Sequence, residues 1–136
     1  MKVKSGYKWQ VPEDHVQPLS ERWKNVGVIR RDWYVIDGPA RKLVLFKGYA
    51  WNGASGIPDD KKVVRGSGCH DALYQEMRLG GLDHNIYRNA ADLELKDICV
   101  SAGMSSIRAY VIYLGVRVLA NFAVDPAQES PLIEVP

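Results

Sequence analysis

The chain lacks the features that mark secreted, membrane-spanning and zinc-binding proteins. Its two cysteines are too few for a disulfide framework, and the paired cysteine spacing of a zinc site is missing. Residues 1–6 do not have the apolar stretch of a signal peptide. The longest apolar run, 109–116, is far shorter than the roughly 20 residues that span a bilayer. We therefore expect no signal peptide, no transmembrane helix and two buried free thiols.

The net charge of the chain, by contrast, excludes few classes of protein. The basic residues number 18 and the acidic residues 16, and the basic ones are scattered along the sequence. This distribution does not indicate nucleic acid as a partner. A hydrophobic content of 46% with 25% charged residues is that of an ordinary globular protein, and 136 residues can bury a core without metal or cross-links.

The first half of the chain has the alternation of β structure. Apolar and polar residues alternate over 26–36 and 42–51, and the intervening residues, 37–40, have turn composition. A further short strand is predicted over 7–11. These patterns predict a small sheet built on a β-hairpin.

The second half has the periodicity of three helices. We place helix one at about 61–78, helix two from 86 or 89 to 102, and helix three at about 105–122. The predicted fold class is therefore α+β, a small N-terminal sheet followed by three helices, the first two an antiparallel pair. These elements form one domain over 1–123.

The last two segments of the chain raise the question of partners. Helix three is apolar nearly all round, apart from Arg108, Arg117 and Asn121. It faces a membrane or another subunit, or it is covered by the hairpin on one side and the helix pair on the other; we favour the covered arrangement. Residues 124–136 have three prolines, three acidic residues and no basic one, which predicts an extended tail, disordered or laid on a neighbouring subunit.

The segment GCHDALY, residues 68–74, is the most informative in the chain. On a helix His70 and Tyr74 share one face, while Asp71 points roughly 100° away from His70. Asp92 lies among small apolar residues of helix two, at the edge of its core face. We expect Asp92 to meet His70 between the helices and to fix its tautomer, as the acid of a His–Asp pair does.

The loop before helix one suggests a metal. Residues 48–58, GYAWNGASGIP, are rich in glycine and have no charge. Calcium takes oxygen ligands, mixing carboxylates with backbone carbonyls. Asp71 and the carbonyls of this loop, including those of Trp51, Asn52 and Gly53, could supply that set. A calcium ion beside a histidine suits hydrolysis, because the base activates water while the ion polarises the carbonyl under attack.

Taken in order, these segments resemble a known family. The GYAWNG loop, the HDALY helix and the NAAD helix are similar to the calcium-dependent phospholipase A2 group, in the disulfide-free form of parvovirus minor capsid proteins. This likeness covers about residues 47–100. The chain also resembles a family of small tailed-phage and prophage proteins, in which an aromatic-x-[DN]-x-[AS]-S-x-P loop precedes HDxLY and a later R-x-x-AD segment. The second likeness spans more of the chain and implies a phage origin.

The phospholipase resemblance implies a role for each matching residue. His70 would be the general base, Asp92 its partner, and Tyr74 a hydrogen-bonding brace to Asp92. Asp71 would supply the carboxylate to calcium. Gly53 would offer a backbone N–H to the oxyanion.

Two departures from the lipolytic loop leave the substrate open. Asn52 and Ser55 stand where that loop relies on glycines and carbonyls. The leading hypothesis is a phage-derived, calcium-dependent ester hydrolase acting on phospholipid at a membrane surface, in a virion or the host cytoplasm. One alternative is a non-catalytic virion protein, in which the polar residues are a structural network and the tail drives assembly with other virion proteins. Another is a metal-assisted hydrolase of the bacterial cell wall.

Overall fold

A computed structural model of the protein describes residues 9–51 and 60–119. Within these residues the strands all precede three helices, so the predicted α+β class is confirmed. The chain divides between Asn52 and Gly53 into two compact units, one with the strands and one with the helices. The single domain predicted over 1–123 thus contains two such units. The predicted tail, 124–136, lies outside the described residues.

Short antiparallel strands make up the described part of the first unit. They are β1 Trp9–Gln10, β2 His15–Pro18, β3 Val28–Arg30, β4 Tyr34–Asp37, β5 Lys42–Leu45 and β6 Ala50–Trp51, with a 3-10 turn at Glu21–Trp23. One sheet has the order β2-β5-β4-β3, and β1 pairs separately with β6. In the larger sheet Tyr34 lies opposite Leu45 and Ile36 opposite Leu43, and all four side chains are buried. These cross-strand pairs give the sheet its core.

Both predicted strands of the hairpin are interrupted. The segment 26–36 contains β3 and runs into β4, and the two pair with each other around a turn in which the N–H of Arg31 donates to the carbonyl of Tyr34 at 2.9 Å. The segment 42–51 forms β5 and β6, which belong to different sheets. Between them Gly48 has a φ of +93°, a conformation that ends a strand and favours glycine. The alternation located the strands but not these breaks.

The described part of the second unit contains α1 Lys61–Leu79, α2 His84–Ser101 and α3 Ser106–Leu119. The Asp60 side chain caps α1 by accepting from the N–H of Lys62, and Gly80 ends the helix with a φ of +87°. Asp83 caps α2 in the same way as Asp60 caps α1. Helix two therefore begins earlier than predicted. None of the helices in residues 60–119 is long and apolar enough to cross a bilayer.

Helices α1 and α2 are antiparallel and in close contact. A Cβ atom built on Gly66 would lie 2.9 Å from a methyl carbon of Leu95 and 3.5 Å from the sulfur of Cys99. Further along α1, His70 contacts Asp92 of α2, so the paired residue numbers run in opposite directions. Cys69 and Cys99 are both free and buried, as predicted. The glycine allows the close approach that brings the inner faces of the two helices together.

Replacing Gly66 tests this contact. The added methyl group of Gly66→Ala overpacks the interface against the buried Leu95, at a cost of about 1–3 kcal/mol. The better helix propensity of alanine offsets roughly 1 kcal/mol of this cost, so the free energy of unfolding is expected to fall by up to about 2 kcal/mol. A site without close contact would give the opposite sign. Urea denaturation of the two proteins measures the difference. A more stable variant would contradict the close approach.

Within residues 60–119, helix α3 has one buried face and one exposed face. Ala109, Ile112 and Val116 are buried, whereas the opposite face exposes large apolar side chains. These are Ile107, Tyr110, Val111, Leu114 and Val118. Ile107 is 82% exposed, so α1 and α2 do not cover this face, and its predicted cover by the hairpin stays a prediction. The apolar sequence of the helix did not distinguish its inner face from its outer one.

Candidate active site

The predicted contact between His70 and Asp92 is present. His70 lies on α1 and Asp92 on α2, and their side chains are 1% and 0% exposed. The imidazole Nε2 lies 2.7 Å from Oδ1 of Asp92, within hydrogen-bonding distance. The antiparallel helix pair therefore places a histidine against a carboxylate in a site shielded from solvent.

Tyr74 completes the group that the sequence predicts. Its hydroxyl donates a hydrogen bond to the same Oδ1 atom of Asp92. One helical turn separates Tyr74 from His70, and their ring centroids lie 4.0 Å apart. Burial and the negative charge of Asp92 raise the pKa of Tyr74, so its hydroxyl stays protonated and remains a donor. The tyrosine thus braces the carboxylate from the side of α1.

Arg117 of α3 is a site residue that the sequence analysis missed. Its Nη1 donates to the other oxygen of Asp92, Oδ2, at 2.9 Å. The sequence did contain a signal for it: an arginine that is buried in a largely apolar helix needs an acidic partner. The spacing of residues could not say which acid that partner would be. The site is therefore built from all three helices.

The three side chains that donate hydrogen bonds to Asp92 determine whether its carboxyl is ionised. Burial by itself would raise the pKa of this carboxyl, but the hydrogen bonds and charge of His70, with the hydrogen bonds of Tyr74 and Arg117, lower it below its usual value. Asp92 is consequently ionised at neutral pH. Because an ionised carboxylate can only accept hydrogen bonds, Oδ1 of Asp92 accepts from Nε2 of His70. Nε2 is therefore the ring nitrogen that has the proton.

The other ring nitrogen of His70 has a different environment. Nδ1 is buried and has no hydrogen-bond partner within the described part of the chain. With the proton on Nε2, a neutral imidazole has its free electron pair on Nδ1. Nδ1 is therefore the atom that can accept a proton. Among the described residues, the arrangement joins a histidine that has one unpaired ring nitrogen, a buried carboxylate and two further donors to that carboxylate.

Two of the four residues predicted to hold calcium, Asn52 and Gly53, lie outside the described residues. The loop residue Ser55 also lies outside them. Trp51 is buried and ends β6, and Asp71 is half-buried on α1. Across residues 9–51 and 60–119, no three side chains of His, Cys, Asp or Glu come together in a way that could hold a metal ion. A calcium site here would depend on one carboxylate with backbone carbonyls, which is a donor set that calcium accepts.

The two thiols near the site are not nucleophiles. Burial raises the pKa of Cys69 to about 12 and that of Cys99 to about 11. The reactive form of cysteine is the thiolate, which is scarce for both at neutral pH. The chemistry of the site therefore centres on His70.

Comparison of the chain with models of known protein families, with curated proteins and with solved structures gave no match. A function must therefore be inferred from the chemistry of the residues that the three helices bring together.

Proposed function

We propose that the protein is an ester hydrolase of the phospholipase A2 type, in which His70 is the general base. The observation that supports this most directly is the difference between the two ring nitrogens. Nε2 is held by a buried carboxylate, whereas Nδ1 is buried without a partner among the described residues. A histidine with a purely structural role would be expected to satisfy both nitrogens, because a buried unpaired polar atom costs about 1–3 kcal/mol.

The geometry supports a simple sequence of proton transfers. Nδ1 of His70 takes a proton from a water molecule as the water oxygen forms a bond to the ester carbonyl carbon. The imidazolium that results is stabilised by Asp92, 2.7 Å from Nε2. The carbon–oxygen bond to the alcohol then breaks, and the proton on Nδ1 passes to the leaving oxygen. The products are a carboxylic acid and an alcohol, and the histidine is neutral again.

Phospholipid is the substrate that we propose, on the likeness of the HDALY and NAAD segments to the phospholipase group. The phage origin, and a role in carrying a genome across a host membrane, belong to the same proposal and rest on the resemblance alone. The test is the release of fatty acid from mixed phospholipid vesicles. Hydrolysis of soluble esters without hydrolysis of the vesicles would keep the mechanism and reject the substrate. Inactivity on both would favour the non-catalytic virion protein.

Calcium is the proposed cofactor, and Asp71 would supply a carboxylate to it. When bound, the ion would polarise the ester carbonyl and stabilise the oxyanion. Calcium that binds only the folded protein is expected to stabilise it by about 2.7 kcal/mol at a hundredfold excess over the dissociation constant. Thermal melts with millimolar calcium or a chelator measure this shift.

The variant Asp71→Asn is expected to lose the calcium shift. Asp97→Asn is the matched control, because Asp97 is also a half-buried carboxylate on a helix of the same unit. It should keep the shift. A wild-type melt that does not respond to calcium would reject the cofactor and leave the proposed role of His70 to be judged by the activity assay.

A further inference from the structure

We propose that Arg117 is a positioning residue: it holds the Asp92 carboxylate in the orientation that keeps the proton of His70 on Nε2 and leaves Nδ1 as the base. The catalytic meaning of this assignment rests on the proposed function. The geometric part does not, because it concerns only the tautomer of one imidazole.

The first support is the division of donors between the two carboxylate oxygens. Oδ1 accepts from both His70 and Tyr74, which lie on α1. Oδ2 accepts from Arg117, at 2.9 Å. The terminal torsion of an aspartate is broad, so a carboxylate held at one oxygen can rotate. A donor on the second oxygen fixes the plane of the group and therefore the direction of the bond to Nε2.

The second support is the charge. Asp92 is fully buried, and an ionised carboxylate in such a place needs a positive partner as well as hydrogen bonds. The hydroxyl of Tyr74 brings no positive charge, and His70 brings one only when both of its ring nitrogens are protonated. Arg117 is always charged, and its side chain is only 28% exposed, so solvent screens the pair less than it screens a surface ion pair.

The third support is that the position of Arg117 is itself held. One helical turn before it, the Tyr113 hydroxyl donates to Oδ1 of Asn89 at 2.6 Å. Asn89 lies one turn before Asp92 on α2. Two contacts a turn apart therefore join α3 to α2, and the second of them is the contact at the site. The packing of α3 against α2 therefore places Arg117 at the site.

The experiment compares Arg117→Met with the wild type by ¹⁵N–¹H NMR of the imidazole at neutral pH. The His70 signals are assigned by their loss in a His70→Gln spectrum. The wild type should show one tautomer, with the proton on Nε2. Arg117→Met should show a mixture of the two tautomers, and Arg117→Lys should restore the single one in large part because its ammonium can still donate to Oδ2. If Arg117→Met does not fold, Arg117→Gln takes its place, since it too removes the charge.

The matched control is Arg108→Met. Arg108 is the other arginine of α3 and also forms an ion pair, with Asp60 at 2.8 Å. Its loss should leave the His70 tautomer unchanged. In the ester assay, kcat of the Arg117→Met protein should fall by about 10–100-fold with KM unchanged, the size of effect found for residues that orient the ligands of a metal.

The outcomes separate this proposal from the proposed function. The positioning role would be overturned if His70 in the Arg117→Met protein kept the wild-type tautomer. The same holds for Arg117→Gln where that variant is used instead. The same mixture of tautomers in Arg108→Met would overturn it too, because the effect would then belong to α3 in general. A tautomer change that depends on Arg117, in a protein that hydrolyses no ester, would support the positioning role and reject the proposed function.

Discussion

Replacing His70 with glutamine is expected to lower the rate of ester hydrolysis by about 10²–10⁴-fold while the protein stays folded. A glutamine amide can place an N–H₂ group near the position of Nε2, so Asp92 keeps a donor. It has no atom that can accept a proton as Nδ1 does. The loss should therefore fall on kcat, and the far-UV circular dichroism of the variant should match that of the wild type.

The control for this change is His84→Gln. His84 begins α2 and is half-buried, and it is not among the residues that contact Asp92. Its replacement should leave the rate unchanged. A folded and fully active His70→Gln protein would show that His70 is a core histidine and would end the proposal of a general base.

The second large effect is expected on stability. Asp92→Asn should lower the free energy of unfolding by about 3–5 kcal/mol, the usual result of removing one partner from a buried ion pair. The reason is that the guanidinium of Arg117 would lose its negative partner. The amide of the new asparagine would also point its own N–H₂ group at one of the donors that bind the carboxylate in the wild type. Urea denaturation at neutral pH measures the change, and Asp97→Asn on the same helix should cost much less.

The pH dependence of the wild type should show the same contribution. The folded protein holds the pKa of Asp92 below its usual value of 3.8, so the stabilisation is fully present above that value. It should be lost as the pH falls through the lowered pKa of the folded state. Asp92→Asn should not show this part of the acid loss. A variant as stable as the wild type at neutral pH, with the same acid profile, would mean that Asp92 contributes no net stability.

Local sequence predicted more of the site than of the fold around it. Helical periodicity predicts that His70 and Tyr74 share one face of α1 and that Asp92 lies at the edge of the core face of α2. Each of these positions depends only on the spacing of residues within its own helix. Arg117 could not be assigned in that way, since its partner depends on how α3 packs against α2. The roles of these side chains in catalysis stay predictions.

The strands and helix ends show a similar division. Periodicity predicts the start of α2 too late, although Asp83, a common cap residue, directly precedes the helix and marks its start in the sequence. The break at Gly48 has no comparable signal in the sequence. A glycine within an alternating segment is compatible with a strand, and only its positive φ shows that the chain leaves one sheet for another.

The free thiols of α1 and α2 have a consequence for the conditions under which the site can exist. Cys69 and Cys99 are the two cysteines of the chain, and neither is cross-linked. The helix pair is therefore held without a covalent cross-link, by packing such as that of Gly66 against Leu95 and Cys99, and by the hydrogen bonds of α1 side chains to Asp92. Such a pair has no covalent bond that a reductant could break. The contact between His70 and Asp92 consequently does not need a disulfide and should persist in reducing surroundings.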